Sequence, residues 1–191
     1  SPSMSYSSVV SQDSVRIMFL IAALNDLDIE MCDIGNAYLN AETREQVWFT
    51  AGSEWGESRE GCRVIIVRVL YGLKSSGAEW KKTFADYIRN TLGFEPCIGA
   101  DDNVYLREEK DEMGNKYYSY LVVYVDNVLC IHKSPSKVLN IINRDYRLKE
   151  PPEFPMMYLG ADISKYYVGG EINGIQCWAM SVNSHVKKAL E

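Results

Sequence analysis

Residues 117–132 read YYSYLVVYVDNVLCIH, and the fold follows from how this stretch is taken. Two β-branched and aromatic runs, 117–125 and 128–132, are separated only by Asp126-Asn127. That pattern predicts two buried strands joined by a tight two-residue hairpin. Downstream, residues 134–146 have helical spacing with Pro135 in the first turn. Pro151, Pro152 and Pro155 mark an extended link. Residues 156–163 and 176–181 predict a second hairpin around Val168-Gly169-Gly170, and 182–190 a short terminal helix. Upstream, 104–107 reads as a short strand and 108–115 as a charged turn. Residues 78–92 form an amphipathic helix stopped by Gly93. Before it, RVIIVRVL at 63–70 predicts a strand, 51–62 a loop, and 46–50 and 29–34 two further strands. Residues 11–23 repeat apolar side chains at helical spacing, with Ser11 or Asp13 to cap them. This order points to an α+β chain built on antiparallel pairs.

The composition is that of a globular chain of 191 residues, 47% apolar and 24% charged. No apolar run approaches the ~20 residues needed to cross a bilayer, and the first ten residues lack the pattern of a secretory signal. Five widely spaced cysteines suit reduced thiols in an intracellular setting, and Cys32 and Cys130 read as core. His132 and His185 read as surface or strand-end residues. The net charge of −6 is unevenly spread. Residues 63–90 carry 6 bases against 2 acids, and 129–149 carry 5 against 1. Such segments suit either a phosphate backbone or solvated helix faces, and charge does not choose between them.

Asp33 and Asp126 are carboxylates in or beside apolar strands, where an unpaired charge costs several kcal/mol, about 2–7 even for a neutral polar group. Each is tolerated as a metal ligand or as a strand-end or hairpin-tip residue. Brought together, two such carboxylates would attract magnesium and serve two-metal phosphoryl transfer.

Here motifs accumulate. Asp33-Ile34-Gly35-Asn36-Ala37-Tyr38-Leu39, followed by Asn40-Ala41, resembles the first catalytic motif of copia-type reverse transcriptases. Leu70-Tyr71-Gly72-Leu73-Lys74-Ser75-Ser76 is similar to that family's LYGLKQS element, and Tyr124-Val125-Asp126-Asn127 to its YVDD box. Residues 6–11, Leu92-Gly93-Phe94 and Met157-Tyr158-Leu159-Gly160 follow in the family's order.

The resemblance implies a reverse-transcriptase palm, a ferredoxin-like antiparallel sheet backed by helices 78–92 and 134–146, with part of the fingers. It implies that residues 1–191 are a partial domain of a Pol polyprotein, without the upstream fingers hairpin, thumb and RNase H. The activity implied is RNA-directed DNA polymerisation onto a primer 3′-hydroxyl, with RNA or DNA template and dNTP as partners. Two Mg2+ ions, with Mn2+ as a surrogate, would be held by Asp33, Asp126 and the Ile34 carbonyl. Tyr38 would exclude a 2′-hydroxyl, Gly72 and Lys74 would meet the nucleotide, and Tyr158, Leu159 and Gly160 would grip the primer. The implied location is a cytoplasmic particle or the nucleus, with no membrane partner.

Two positions depart from the family. Asn127 replaces the second aspartate of the box and removes a negative charge from the catalytic site, which predicts an impaired copy. Ser75-Ser76-Gly77 replaces Gln-Ser-Pro. A catalytically dead nucleic-acid-binding domain on the same fold is the alternative reading. A metal-dependent phosphotransferase of unrelated fold would leave Tyr38, Gly72, Lys74 and residues 157–160 without a role.

Overall fold

Of the two caps the sequence offers, Ser11 and Asp13, it is Ser11 that opens the first described element: its backbone is extended and its Oγ accepts a hydrogen bond from Ser14 N at 3.0 Å. The structure, a computed structural model, describes residues 8–169 and 174–182. In chain order its elements are α1 (Gln12–Leu24), β1 (Asp28–Asp33), β2 (Trp48–Thr50), β3 (Arg63–Ile65), α2 (Ser76–Asn90), β4 (Glu95–Cys97), β5 (Asp101–Lys110), β6 (Lys116–Tyr124), β7 (Asn127–His132), α3 (Pro135–Asp145), β8 (Met157–Tyr158), β9 (Ala161–Val168) and β10 (Ile175–Ser181). The described residues divide into two units, residues 8 and 36–91 in one and residues 9–35, 92–169 and 174–182 in the other.

The second unit is built on a five-stranded sheet in the order β1-β7-β6-β5-β4, every neighbour antiparallel. A smaller sheet, β10-β9-β8, accompanies it. Strand side chains alternate between faces, so Ile29, Val104, Val122, Leu129 and Ile131 share one side. There they join Val15, Met18, Phe19 and Ala22 of α1 and Tyr158 and Ile163 of the smaller sheet in one buried cluster. Val128 and Cys130 point the other way and are fully buried. Helix α3 contacts β1 and β7 and buries Val138, Leu139 and Ile142. The outer edge of β1 is not left open: Met31 exchanges both backbone hydrogen bonds with Glu153, and Ile34 bridges to Leu148.

In the first unit, α2 buries Trp80, Phe84 and Ile88, and Trp80 stacks on Phe84 with ring centroids 5.1 Å apart. Glu45 reaches its N-terminal turn, where one carboxylate oxygen accepts from Ser75 N at 2.7 Å and Ser75 Oγ at 2.6 Å. These two hydrogen bonds, against a smaller desolvation effect and with Lys74 nearby, hold the Glu45 carboxyl below its ordinary pKa.

Several boundaries differ from expectation. The strand foreseen at 63–70 ends at Ile65. Beyond it the ladder is irregular: Ile66 bonds to Val47 and its neighbour Val67 to Thr43, so residues 44–46 have no counterpart. The strand at 104–107 is longer, Asp101–Lys110, because pairing with β6 runs on through polar residues to Lys110 and Asp101 pairs with Cys97 of β4. The charged turn contracts to 111–115, where Asp111 Oδ1 accepts from Met113 N and Asn115 N. Strand β4, only Glu95–Cys97, has no sequence signal because Pro96 fits only a sheet edge. Residues 156–163 are two strands, broken at Leu159-Gly160, both with positive φ. His132 is the strand-end residue that one of the two expectations allowed, closing β7, and it is buried, bonded to the Tyr117 hydroxyl at 3.1 Å and accepting from Ser134 N. Tyr6, Gly170, His185 and residues 183–190 of the expected terminal helix lie outside the described residues. Cys32 and Cys130 are buried free thiols, and burial, with Asp33 adjacent, pushes Cys32 up to about 12. Both stay protonated and unreactive. Among the described residues no helix is long and apolar enough to cross a membrane.

Candidate active site

The register of β1 against β7 builds the site. It places Asp33 opposite Asn127, and one step further Ile34 N donates to the Asp126 carbonyl at 2.8 Å. The two aspartates, 93 positions apart in the chain, are thereby brought together by one ladder. The β6–β7 turn keeps the expected two residues but falls one position earlier than the sequence suggests. Tyr124 pairs with Asn127, so the turn residues are Val125 and Asp126, and Asn127 begins the strand. Val125 sits at φ 56, the left-handed region, where a β-branched residue is strained by ~1–2 kcal/mol. The strained residue immediately precedes Asp126, the second residue of the turn.

The two carboxylates share a cation that sequence reasoning did not find. Lys149 Nζ lies 2.8 Å from Asp33 Oδ1, 2.9 Å from Asp33 Oδ2 and 3.5 Å from Asp126 Oδ2. Its position is set by backbone pairing: Lys149 N donates to Asp33 O at 2.9 Å and Gly35 N to Arg147 O at 2.8 Å. Gly35 leaves room for this pairing, since a Cβ would stand a tight 3.1 Å from Arg147 O and 3.7 Å from Lys149 Cγ. The hydrogen bond to Asp33, reinforced by the charge of both carboxylates against a desolvation cost, raises the Lys149 pKa. The only sequence signal for Lys149 was the basic bias of residues 129–149; nothing in spacing ties position 149 to position 33. Asp126 Oδ1 also accepts a long hydrogen bond, 3.4 Å, from Asn127 Nδ2.

The site fits a hard divalent cation by its donor set. Asp33 Oδ1 is buried and, despite its short distance to Lys149, accepts no hydrogen bond of good geometry among the described residues. The two carboxylates, Asp33 and Asp126, suit magnesium, which keeps waters and substrate phosphates as most of its ligands. Among the described residues there is no cluster of three or more Asp, Glu, His or Cys donors that would form an all-protein cage.

Near the same unit's second sheet, Tyr158 and its neighbours divide. The Tyr158 ring is 3% exposed, inside the core cluster against which Tyr124 packs. Burial, with Tyr124 close, pushes its hydroxyl well above the ordinary tyrosine pKa. Leu159 and Gly160 form an exposed turn, so of residues 158–160 it is these two that face outward. Tyr38, Gly72 and Lys74 belong to the other unit. Tyr38 is half-buried in the short 3-10 turn Ala37–Asn40, its ring meeting that of exposed Tyr71 edge-on at 4.5 Å. Gly72 has φ +96, a conformation glycine adopts without strain, and no described atom lies within 4 Å of where its Cβ would stand. Lys74 is exposed just ahead of α2.

The mixed α and β architecture, an antiparallel sheet that brings two aspartates near one hairpin turn, is compatible with a polymerase domain. Residues 3–190 match the family described as reverse transcriptase (RNA-dependent DNA polymerase), and the chain belongs to that family, in its copia-type form. It is 22% identical over 151 residues to the retrovirus-related Pol polyprotein from transposon TNT 1-94 of Nicotiana tabacum, covering 76% of this chain and 11% of that protein. It is 24% identical over 139 residues to the Pol polyprotein from transposon RE1 of Arabidopsis thaliana, covering 72% and 9%. With the transposon Ty1-BL Gag-Pol polyprotein of Saccharomyces cerevisiae it shares 30% over 99 residues, covering 49% and 6%. The chain thus spans about a tenth of the length of the curated relatives it matches. No solved structure matches it.

Proposed function

We propose that the chain is the palm, with part of the fingers, of a copia-type retrotransposon reverse transcriptase, and that it adds deoxynucleotides to a primer 3′-hydroxyl on an RNA or DNA template. The observation that carries this reading is the β1–β7 register, which sets Asp33 and Asp126 side by side. Asp33 and Asp126, with the Ile34 carbonyl, hold magnesium; when bound, it supplies the positive charge that stabilises the attacking and leaving oxygens. Tyr38, its ring braced by Tyr71, rejects a 2′-hydroxyl by contact. Gly72 and Lys74 meet the nucleotide. Leu159 and Gly160 hold the primer end while the Tyr158 ring anchors their turn in the core. The remainder of a Pol polyprotein and an intracellular particle or nucleus complete the setting.

Asn127 supports a second reading, a domain that binds nucleic acid with chemistry weakened or lost. Its amide donates to Asp126 where the family has a carboxylate. Primer extension on an RNA template with Mg2+ separates the two. Asp126→Ala abolishing a measurable parental rate, and Asn127→Asp raising it, supports an impaired polymerase. RNA retention by Asp126→Ala with no extension by any variant supports the binding domain. Extension by Asp126→Ala at the parental rate overturns the assignment of the site.

A further inference from the structure

We propose that Lys149 is the built-in counter-ion of the Asp33–Asp126 pair, and that a divalent cation enters this site by displacing its ammonium group. The inference rests on reading the pair as a metal site. Two carboxylates confront each other at the end of β1 and the β6–β7 turn, and one ammonium lies within 3.5 Å of three of their oxygens. The lysine backbone is fixed by its hydrogen bond to Asp33 O, so its Cα stays beside the site. Its side chain, by contrast, is 51% exposed on a flexible stem, free to swing away without leaving a buried hole. Charge sets the direction of exchange. One ammonium cancels half of the charge on the pair, whereas a divalent ion cancels all of it. Asn127 reinforces the metal-free arrangement, since its amide occupies Asp126 Oδ1 without adding charge. A carboxylate there would leave the pair more negative than one lysine can offset. The chain therefore carries a self-compensated site whose affinity for metal is set by Lys149 as well as by its ligands.

Removing the competitor tightens metal binding. In Mn2+ titrations at fixed ionic strength, read by the free-ion paramagnetic signal, Lys149→Met is expected to bind about tenfold tighter than the parent. Lys149→Arg keeps the charge and is expected to bind no tighter than the parent. If Lys149→Met binds Mn2+ no tighter than the parent while Asp33→Asn removes binding, the metal site stands and the role of Lys149 is overturned. If neither the parent nor Lys149→Met binds, the metal-site reading falls and the inference with it. The unsubstituted chain supplies an independent readout should Lys149→Met not fold. Acetylation of Lys149, followed by peptide mass spectrometry, is expected to speed up several-fold on adding Mn2+, while exposed Lys82 and Lys133 serve as controls. An unchanged Lys149 rate in protein that has bound Mn2+ overturns the displacement.

Discussion

Asn127→Asp restores the family's residue and loads the site with a third carboxylate, so its effect on the metal-free protein follows from the geometry. Asn127 stands opposite Asp33 in the ladder, and its amide lies 3.4 Å from Asp126 Oδ1. The substitution deletes that donor and sets a negative charge about 4 Å from Asp126. Two unit charges at that distance repel by about 1 kcal/mol in water and about 4 at an effective dielectric of 20. The Asp33 and Asp126 side chains are 32% and 20% exposed, and Lys149 screens both, so the outcome lies between those limits. The expected loss is about 1–2 kcal/mol of unfolding free energy at pH 7 in EDTA, measured by urea denaturation with far-UV circular dichroism. The same charge draws in a divalent ion, and binding to the folded state returns RT ln(1 + [L]/Kd), about 2.7 kcal/mol at a hundredfold excess over Kd. Asn127→Asp is therefore less stable than the parent in EDTA and gains more from Mn2+. Equal stability in EDTA, with an equal response to Mn2+, would refute the claim that residue 127 shares the field of the aspartate pair.

Two further outcomes test the frame that holds the site. Asp101 ties α1 to the start of β5: Oδ2 accepts from Ser11 N and Ser14 Oγ at 2.9 and 2.7 Å, and Oδ1 from Asn103 N at 3.0 Å. Asp101→Ala is expected to cost about 2 kcal/mol at pH 7. Burial tends to raise the Asp101 pKa, but these hydrogen bonds outweigh it and hold the pKa below the ordinary value. A carboxyl depressed in the fold contributes fully above its unfolded pKa, about 3.9, and loses the contribution as pH falls through the folded value. The gap between parent and Asp101→Ala should then close below about pH 4, and a gap that persists in acid counts against the assignment. Ile131 is fully buried on central strand β7, between Ile29 and Tyr120, so Ile131→Ala is expected to cost about 3 kcal/mol by chemical denaturation. Exposed Ile17→Ala on α1 should change stability by less than about 0.5 kcal/mol.

Local chemistry was legible in the chain itself. Ser11 marked the start of α1 because a hydroxyl at that spacing satisfies a helix donor. The β-branched runs around Asp126 announced the hairpin, and motif order announced the family, since both depend on residues near one another in sequence. Tertiary pairing decided the rest. The two-residue turn shifted to Val125-Asp126 because the β6–β7 ladder starts at Tyr124 opposite Asn127, a register no single strand specifies. Polar Asp101 and residues 108–110 became strand because partners on β4 and β6 were there to pair with them. Tyr158 proved to be core, since its burial depends on α1 and the central sheet rather than on its own hairpin. Lys149 reached the aspartates because residues 147–149 lie along β1, a contact across 116 positions that leaves no mark in composition or period. The carboxylates were named by the sequence; the cation between them was placed by the fold, because an ion pair depends on distance in space and not along the chain.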